Sequence, residues 1–542
     1  MKTVAAIDVD LVTTPLGTSS RQAAELSGVP VLLRTVQRVR RAQEVAEVHL
    51  VCPADQVERC RAMLSEEAVT VHGISSGPPP FRRLTRAARS WSLEGWRGGM
   101  GGAACMDEYT NAAVLAQLGQ QCQADAVWAC SGASPLVDAD LIDAMIRHFR
   151  DHAQHMRMTF APVPPGLAGT VFATSLLNDL GAENVPPGWA LAYKPDEPRM
   201  DLAFKECSHP CPQVMRHATG RLIVDTRRAM EHAADILTRH PDPDGPTVCQ
   251  CLIDRAANHV PSLPREVEIE LTTQDPVPDC PLRPRGARVP DRGPIDADLV
   301  RRIAAELATY DDSRVVLGGF GEPLGHPQFD AILAALADAG IFAVAVRTAG
   351  LTMTEDVIAS LVRHKVTVAE FTLDAWTEAL YARLHPGAAL PTVVSAMDRL
   401  AAARAHAGQV EPLVVPSFVK STDNVHELDA FFDGWIRKEG WAVIHGFSHH
   451  AGQLEDRSVV DMSPPHRHPC RRIRNRCTVL ADGTLTLCDQ DFTGLSKVGS
   501  LKHTNLEDLW QSNQFQAARS NQDAGNYQTG PLCANCAEWH RP

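Results

Sequence analysis

No apolar run in this chain of 542 residues reaches the roughly 20 residues that a membrane-spanning helix needs. A membrane protein built on such helices is therefore not expected. Nor is there an excess of positive charge. The 52 Lys and Arg stand against 65 Asp and Glu, and the net charge is −13. That balance argues against a general nucleic-acid binder, which needs a basic face. At the N-terminus, Asp8 and Asp10 come too soon for the apolar core of a signal peptide. The cysteines lack the dense pairing of a secreted disulfide scaffold, and most stand singly at apolar positions, as Cys52 and Cys130 do. The expectation is a cytoplasmic protein with reduced thiols.

What is present begins with an ordinary apolar fraction of 44%, enough for large cores in two to four domains. The cysteines gather at the C-terminal end. Cys470, Cys477 and Cys488 are followed by the CxxC pair Cys533 and Cys536. A CxxC pair can set both thiolates on one metal or one cluster. Cys477 and Cys488 flank a predicted hairpin with the turn Ala481-Asp482-Gly483. Four soft thiolates converging there make either a zinc site or an iron–sulfur cluster, and spacing alone leaves both open.

Three regions follow from the patterning. Residues 1–245 alternate short apolar strands (4–9, 48–52, 126–130) with helical spacing (31–42, 139–149), which predicts an α/β domain with a largely parallel sheet. Residues 75–102, rich in Gly, Pro and Arg, read as a long surface loop. Residues 262–460 repeat the βα unit. Strands are expected near 266–272, 314–317, 342–347, 366–372 and 410–419, and helices at 296–309, 328–339, 354–364, 392–407 and 424–438. That repeat predicts a full or partial (β/α) barrel.

The C-terminal segment resembles the SPASM/twitch domain, the auxiliary-cluster domain of many radical SAM proteins. The likeness rests on the cysteine-flanked hairpin, Cys488-Asp489-Gln490-Asp491, Val498-Gly499-Ser500-Leu501, Asn505-Leu506-Glu507-Asp508-Leu509-Trp510 and the closing CxxC. It implies a [4Fe-4S] cluster held by Cys470, Cys488, Cys533 and Cys536. Cys477 is then a buried thiol in the hairpin strand, or it replaces Cys470 as a ligand. Arg471, Arg472, Arg474 and Arg476 either stabilise an anionic cluster or are solvated.

The first region resembles the sugar-nucleotide cytidylyltransferase type of nucleotidyltransferase. The likeness rests on Leu26-Ser27-Gly28-Val29-Pro30, Val48-His49-Leu50-Val51-Cys52-Pro53 and Ser131-Gly132-Ala133-Ser134-Pro135. Val29 stands where the resemblance expects a Lys, and Ala133 where it expects a metal-binding Asp. Phosphoryl transfer depends on such charges, so the domain is expected to keep the fold without the catalysis.

The middle region resembles a radical SAM core with one gap. Glu270-Leu271-Thr272-Thr273 is the strand that leads into CxxxCxxC in that family. Here the loop 274–283 carries Cys280 alone. The strand-end motif Gly318-Gly319-Phe320-Gly321-Glu322-Pro323 resembles the family's glycine-rich motif. It implies S-adenosylmethionine (SAM) contact at Gly318, Gly319, Gly321 and Glu322. Thr348-Ala349-Gly350 resembles a family turn with Asn replaced by Ala, and Thr372-Leu373-Asp374-Ala375 resembles a family strand end. Asp374 either faces a ligand or caps the next helix.

Lesser signals are the Cys207–His209–Cys211 cluster with Cys249 and Cys251, read as isolated thiols rather than a second metal site. His445, His449, His450, His466 and His468 are read as a polar linker. The expected organisation is a degenerate nucleotidyltransferase-like α/β domain at 1–245, a radical SAM-like partial barrel at 262–460 and a SPASM/twitch domain at 461–542. The expected function is a cluster-carrying partner of a peptide or protein, a possible electron-transfer donor. The alternatives are a radical SAM-type peptide-modifying enzyme with an unconventional site and a nucleotidyltransferase-like enzyme.

Overall fold

The computed structural model describes residues 1–75, 77, 79, 81–196 and 207–541. The chain divides into two compact units, Met1–His259 and Val260–Pro542.

The first unit is built on a six-stranded sheet. Its strands are β1 (Thr3–Asp8), β2 (Val48–Pro53), β3 (Thr70–Ile74), β4 (Ala126–Ser131), β5 (Met158–Thr159) and β6 (Thr170–Ala173). The order is β3-β2-β1-β4-β6-β5. The first four run parallel, and β6 and β5 add antiparallel. β1 and β4 are central and covered on both faces, which is why they read as unbroken apolar runs. Helices α1 (Val31–Val39) and α3 (Ala139–His152) fall where the 3.6-residue spacing puts them.

The expected long loop is only partly a loop. Residues 76, 78 and 80 lie outside the described residues, but Arg82–Arg89 forms a helix, α2. Its arginines suggest a surface. Arg89 is instead fully buried, with Nε 2.9 Å from Glu108 Oε1. Arg221 meets the other oxygen of Glu108 at 2.6 Å. A buried charge of this kind persists only when paired, and the partners are remote in sequence.

The second unit carries one nine-stranded sheet. Six parallel strands are β7 (Glu266–Glu270), β8 (Arg314–Gly318), β9 (Ala343–Thr348), β10 (Val368–Thr372), β11 (Leu413–Lys420) and β12 (Val443–Gly446). Helices α4 (Ala297–Leu307), α5 (Phe329–Asp338), α6 (Glu355–Arg363), α7 (Leu390–His406) and α8 (Leu428–Glu439) alternate with them. This is the expected partial barrel. It stays open because β13 (Arg476–Val479) takes the free edge of β7, in parallel, with Cys477 opposite Val267 and Val479 opposite Ile269. β14 (Thr484–Thr486) and β15 (Lys497–Ser500) extend the sheet antiparallel, giving the order β12-β11-β10-β9-β8-β7-β13-β14-β15.

Alternation along β7 sends Val267 and Ile269 into the helix-covered core. The same core contains Cys477, Val479, Leu485, Trp510 and Phe515 from the C-terminal segment. Trp510 Nε1–H also donates to the Pro261 carbonyl at 2.9 Å. The cysteine-bearing segment and the barrel therefore share one sheet and one core. Among the described residues, no helix is long and apolar enough to cross a membrane.

Leu485→Ala removes a wholly buried side chain from this shared core. It should lower the stability of residues 260–542 by about 2–5 kcal/mol. A reduced denaturation midpoint for barrel and hairpin signals together is the expected readout; loss of the hairpin signal alone would contradict the shared core.

Candidate functional site

The larger of two site cavities, about 410 Å³, sits at the mouth of the partial barrel. Gly319, Gly321 and Glu322 line it, with Arg347, Glu370 and His445. Gly318, the remaining member of the motif, is not on its wall.

The wall is charged and internally paired. Arg347 Nη1 is 3.1 Å from Glu268 and its Nε 3.3 Å from Glu370. His445 Nε2 is 2.7 Å from Glu370. Burial works to raise the Glu370 pKa, but His445 and Arg347 outweigh it and hold the carboxyl well below the usual range.

The glycines are demanded by packing. Gly319 has φ +74°, and a Cβ there would sit 2.7 Å from the Cβ of Glu270. At Gly321 a Cβ would lie 2.0 Å from the Thr272 carbonyl oxygen. Only glycine lets the end of β8 pass so close to the end of β7. Glu322 accepts hydrogen bonds from the Thr348 hydroxyl at 2.7 Å and from the Ala349 N–H at 2.8 Å. It thus ties the glycine turn to the Thr348-Ala349-Gly350 turn. Burial, only partly offset by those bonds, pushes its pKa up to about 7.

The loop that carries Cys280 is fastened by arginines. Arg283 Nη1 and Nη2 reach Asp374 at 2.5 and 3.2 Å. Arg285 pairs with Asp275 at 2.9 Å and donates to the Gly319 carbonyl at 2.7 Å. Arg288 donates to the Cys280 carbonyl at 2.9 Å. Cys280 itself is buried, and burial raises its thiol pKa.

Asp374 takes neither expected role. Thr377, not Asp374, caps the following helix Glu378–Leu384. Asp374 is fully buried, at φ +59°, between Arg283 and His385, whose Nε2 is 3.3 Å away. Burial alone would raise its pKa, but Arg283 and His385 hold it well below the usual carboxylate range.

The smaller cavity gathers Cys470, Cys488, Cys533 and Cys536, together with Arg467, Arg472 and Gln490. Cys477 is not among them. It lies in β13, fully buried, with burial pushing its thiol well up. Among the described residues no three of the four gathered thiols lie within 4.8 Å of one another. Zinc–sulfur bonds of about 2.3 Å would set tetrahedral thiolates roughly 3.8 Å apart. Four thiolates are a donor set that a [4Fe-4S] cluster can use. Two further observations agree. Burial pushes Cys536 up to about 11, so thiolates here need a positive partner. Among the described residues, Arg467 and Arg472 each keep a buried Nε–H with no acceptor, which cluster sulfurs can satisfy. Arg474 turns away to Asp523 at 2.5 Å, and Arg476 to Glu266 at 3.5 Å.

The polar-linker reading of the histidines fails at two positions. His445 belongs to β12 and pairs with Glu370. His450 lines the large cavity, packs edge-on against Phe320 and Phe492, and is held near pKa 4 by burial. Their partners are distant in the chain, so no local signal marked them; Arg467 escaped notice for the same reason. Cys207, Cys211, Cys249 and Cys251 are buried, and among the described residues they form no group at metal-ligand spacing. In the first unit Ala133 is buried, and its carbonyl accepts from the Val224 N–H at 2.7 Å. Val29 lies in the short strand Val29–Pro30.

Residues 280–421 match the model of the Radical SAM superfamily. Residues 470–537 match the model of SPASM, an iron-sulfur cluster-binding domain. The chain carries radical SAM and SPASM domains. The radical SAM match begins at Cys280, and the SPASM match spans all five C-terminal cysteines. The chain is 24% identical over 254 residues to an uncharacterized protein of Treponema pallidum (strain Nichols), covering 45% of this chain and 68% of that protein. Streptococcus suis SuiB bound to S-adenosylmethionine aligns with 15% identity and a TM-score of 0.41, over 57% of this chain and 84% of SuiB. A cytidylyltransferase from Leptospira borgpetersenii serovar Hardjo-bovis (strain JB197) aligns with 14% identity and a TM-score of 0.32, over 47% of this chain and 95% of that one.

The arginine fastening of the radical SAM domain's first loop has a pH signature. Asp374→Asn keeps the shape and tolerates the left-handed backbone, but leaves Arg283 buried without its anion. At neutral pH it should cost about 3–5 kcal/mol. The native Asp374 pKa is depressed, so its contribution is present above the unfolded value near 4 and is lost as pH falls through the lower folded value. The gap between wild type and variant should narrow as denaturation is measured below about pH 4. A gap that stays constant with pH would contradict this account.

Proposed function

We propose that this chain is an iron–sulfur protein in which Cys470, Cys488, Cys533 and Cys536 hold one [4Fe-4S] cluster beside a cavity that binds a peptide or protein partner. One observation carries the reading: Arg472 and Gln490 line both the thiol cavity and the barrel-mouth cavity. A group held by the thiols is one side chain away from whatever the barrel mouth holds. A four-thiolate cluster supplies one-electron transfer.

The chain's own residues do the rest. Arg467 and Arg472 offer N–H donors toward the thiol cavity. Arg472 is held at 2.7 Å by Asp489, on the barrel-mouth side. The barrel mouth presents alternating carboxylates and guanidiniums, Glu268, Arg347, Glu370, Arg476 and Asp489 among them. A wall of balanced charge suits an amphoteric ligand such as a peptide better than a polyanion.

On this reading the barrel does not cleave SAM. That chemistry needs three thiolates in one loop, and residues 274–283 hold Cys280 alone. Arg283 and Arg285 fasten the loop instead. A second reading keeps SAM in the barrel mouth, as a peptide-modifying enzyme would. It is favoured by Gly319, Gly321 and Glu322 on the cavity wall. The cytoplasm is the compartment proposed, since the fifteen cysteines form no disulfide.

Anaerobically purified protein should contain about four iron atoms per chain. Cys536→Ala should lose them, and Cys477→Ala should keep them. Zinc in place of iron after anaerobic reconstitution would overturn the cluster, and iron loss in Cys477→Ala would overturn the ligand set. Reduced protein with SAM should release no 5′-deoxyadenosine; release that depends on Cys280 would favour the second reading.

The first unit is proposed to be catalytically silent, because Val29 and Ala133 stand where charge is needed. Incubation with CTP, Mg²⁺ and sugar acids should release no pyrophosphate above background. Enzyme-dependent release would make this unit the catalytic centre.

A further inference from the structure

Three side chains with metal-binding atoms meet in the first unit, Glu47, His49 and Cys122. His49 is the second residue of β2 and is buried. Its Nε2 lies 3.4 Å from Cys122 Sγ and 3.4 Å from Glu47 Oε2. The three ligand atoms all lie within 4.8 Å of one another.

The backbone brings them together for local reasons. Glu47 immediately precedes β2, and the Ala5 N–H donates to its carbonyl at 2.8 Å. Cys122 ends the helix Ala112–Gln121, just before β4. Its carbonyl accepts from Lys2 Nζ at 2.9 Å. All three residues therefore lie at the end of the sheet where the parallel strands start. The Asp8 and Ser131 ends of β1 and β4 are at the opposite end of the strands.

The spacing has a chemical meaning. Zinc bonded at about 2.0 Å to nitrogen and oxygen and 2.3 Å to sulfur, with tetrahedral angles, sets its ligand atoms roughly 3.3–3.6 Å apart. Both measured edges fall in that interval. The far side of the imidazole is also prepared. His49 Nδ1 is 3.0 Å from Nε2 of His72, its diagonal neighbour on β3. An Nδ1–H donated there leaves Nε2 free as an acceptor, the arrangement found behind metal-bound histidines. Lys2 Nζ holds the other carboxylate oxygen, Oε1 of Glu47, at 2.6 Å, which turns Oε2 toward the histidine. That ammonium also opposes a cation electrostatically, so the affinity rests on the thiolate and the imidazole.

We propose that Glu47, His49 and Cys122 form a binding site for one zinc-class divalent cation, with His72 as the positioning residue behind His49. The thiolate–imidazole–carboxylate set selects zinc, cobalt or a similar borderline metal and disfavours magnesium and calcium. Three protein ligands leave a fourth position open to solvent or to a small ligand, as in sites that do chemistry rather than sites that only brace a fold.

Mapping of iodoacetamide labelling by mass spectrometry tests this on the full-length, cluster-loaded protein, because it reads Cys122 separately from the other thiols. Zinc should slow alkylation of Cys122 by about tenfold or more, while magnesium leaves it unchanged. His49→Gln should abolish the protection. His72→Gln keeps all three ligands and should raise the zinc concentration needed by about 10–100-fold. Alkylation of Cys122 at the same rate with and without zinc overturns the site. So does protection that survives His49→Gln, or protection that His72→Gln leaves at the same zinc concentration.

Discussion

Parallel pairing of β13 with β7 is the constraint on which the rest of the second unit depends. A barrel strand with a free edge presents unpaired N–H and C=O groups, and β13 satisfies them. The period of two then decides the fate of each side chain on β13. Cys477 and Val479 go into the shared core beside Val267 and Ile269. Arg476 goes to the other face and meets Glu266 at 3.5 Å. The same pairing carries Arg472 and Asp489 to the barrel mouth and leaves the four gathered thiols just beyond it. A slip of one residue would exchange Cys477 for Arg476 in the core.

Charge is the second organising force. The inner face of the barrel is lined with carboxylates and guanidiniums that hold one another, from Arg347 between Glu268 and Glu370 to Arg283 on Asp374. Removing one partner strands the other in a poorly solvated place. On the proposed reading, the pairs Arg283–Asp374 and Arg285–Asp275 order the first loop. The barrel then serves as a rigid mouth beside the cluster.

Much of this was legible from local pattern. The alternation Glu266-Val267-Glu268-Ile269-Glu270 marked β7, and the βα repeat marked the open barrel. The resemblance to the SPASM domain implied the four thiols that line one cavity, Cys470, Cys488, Cys533 and Cys536, and left Cys477 open between a buried strand thiol and a ligand; the fold places it in β13, off that cavity. What stayed hidden depends on pairing across long stretches of chain. Arg89 looked like a surface residue because Glu108 is not its neighbour in sequence. His445 and His450 looked like linker because Glu370 and Phe320 lie far upstream. Asp374 looked like a ligand or a cap because nothing in its own segment announces Arg283. The Glu47, His49 and Cys122 cluster has no sequence motif at all; only the convergence of strand starts in a parallel sheet assembles it.

The central claim is that the cluster takes all four ligands from Cys470, Cys488, Cys533 and Cys536, so that no iron is open to SAM. Electron paramagnetic resonance of the dithionite-reduced protein, recorded with and without excess SAM, tests it most directly. The account predicts one cluster signal whose g values do not move when SAM is added. A signal that shifts or broadens on addition of SAM would show an iron within its reach and would contradict the account.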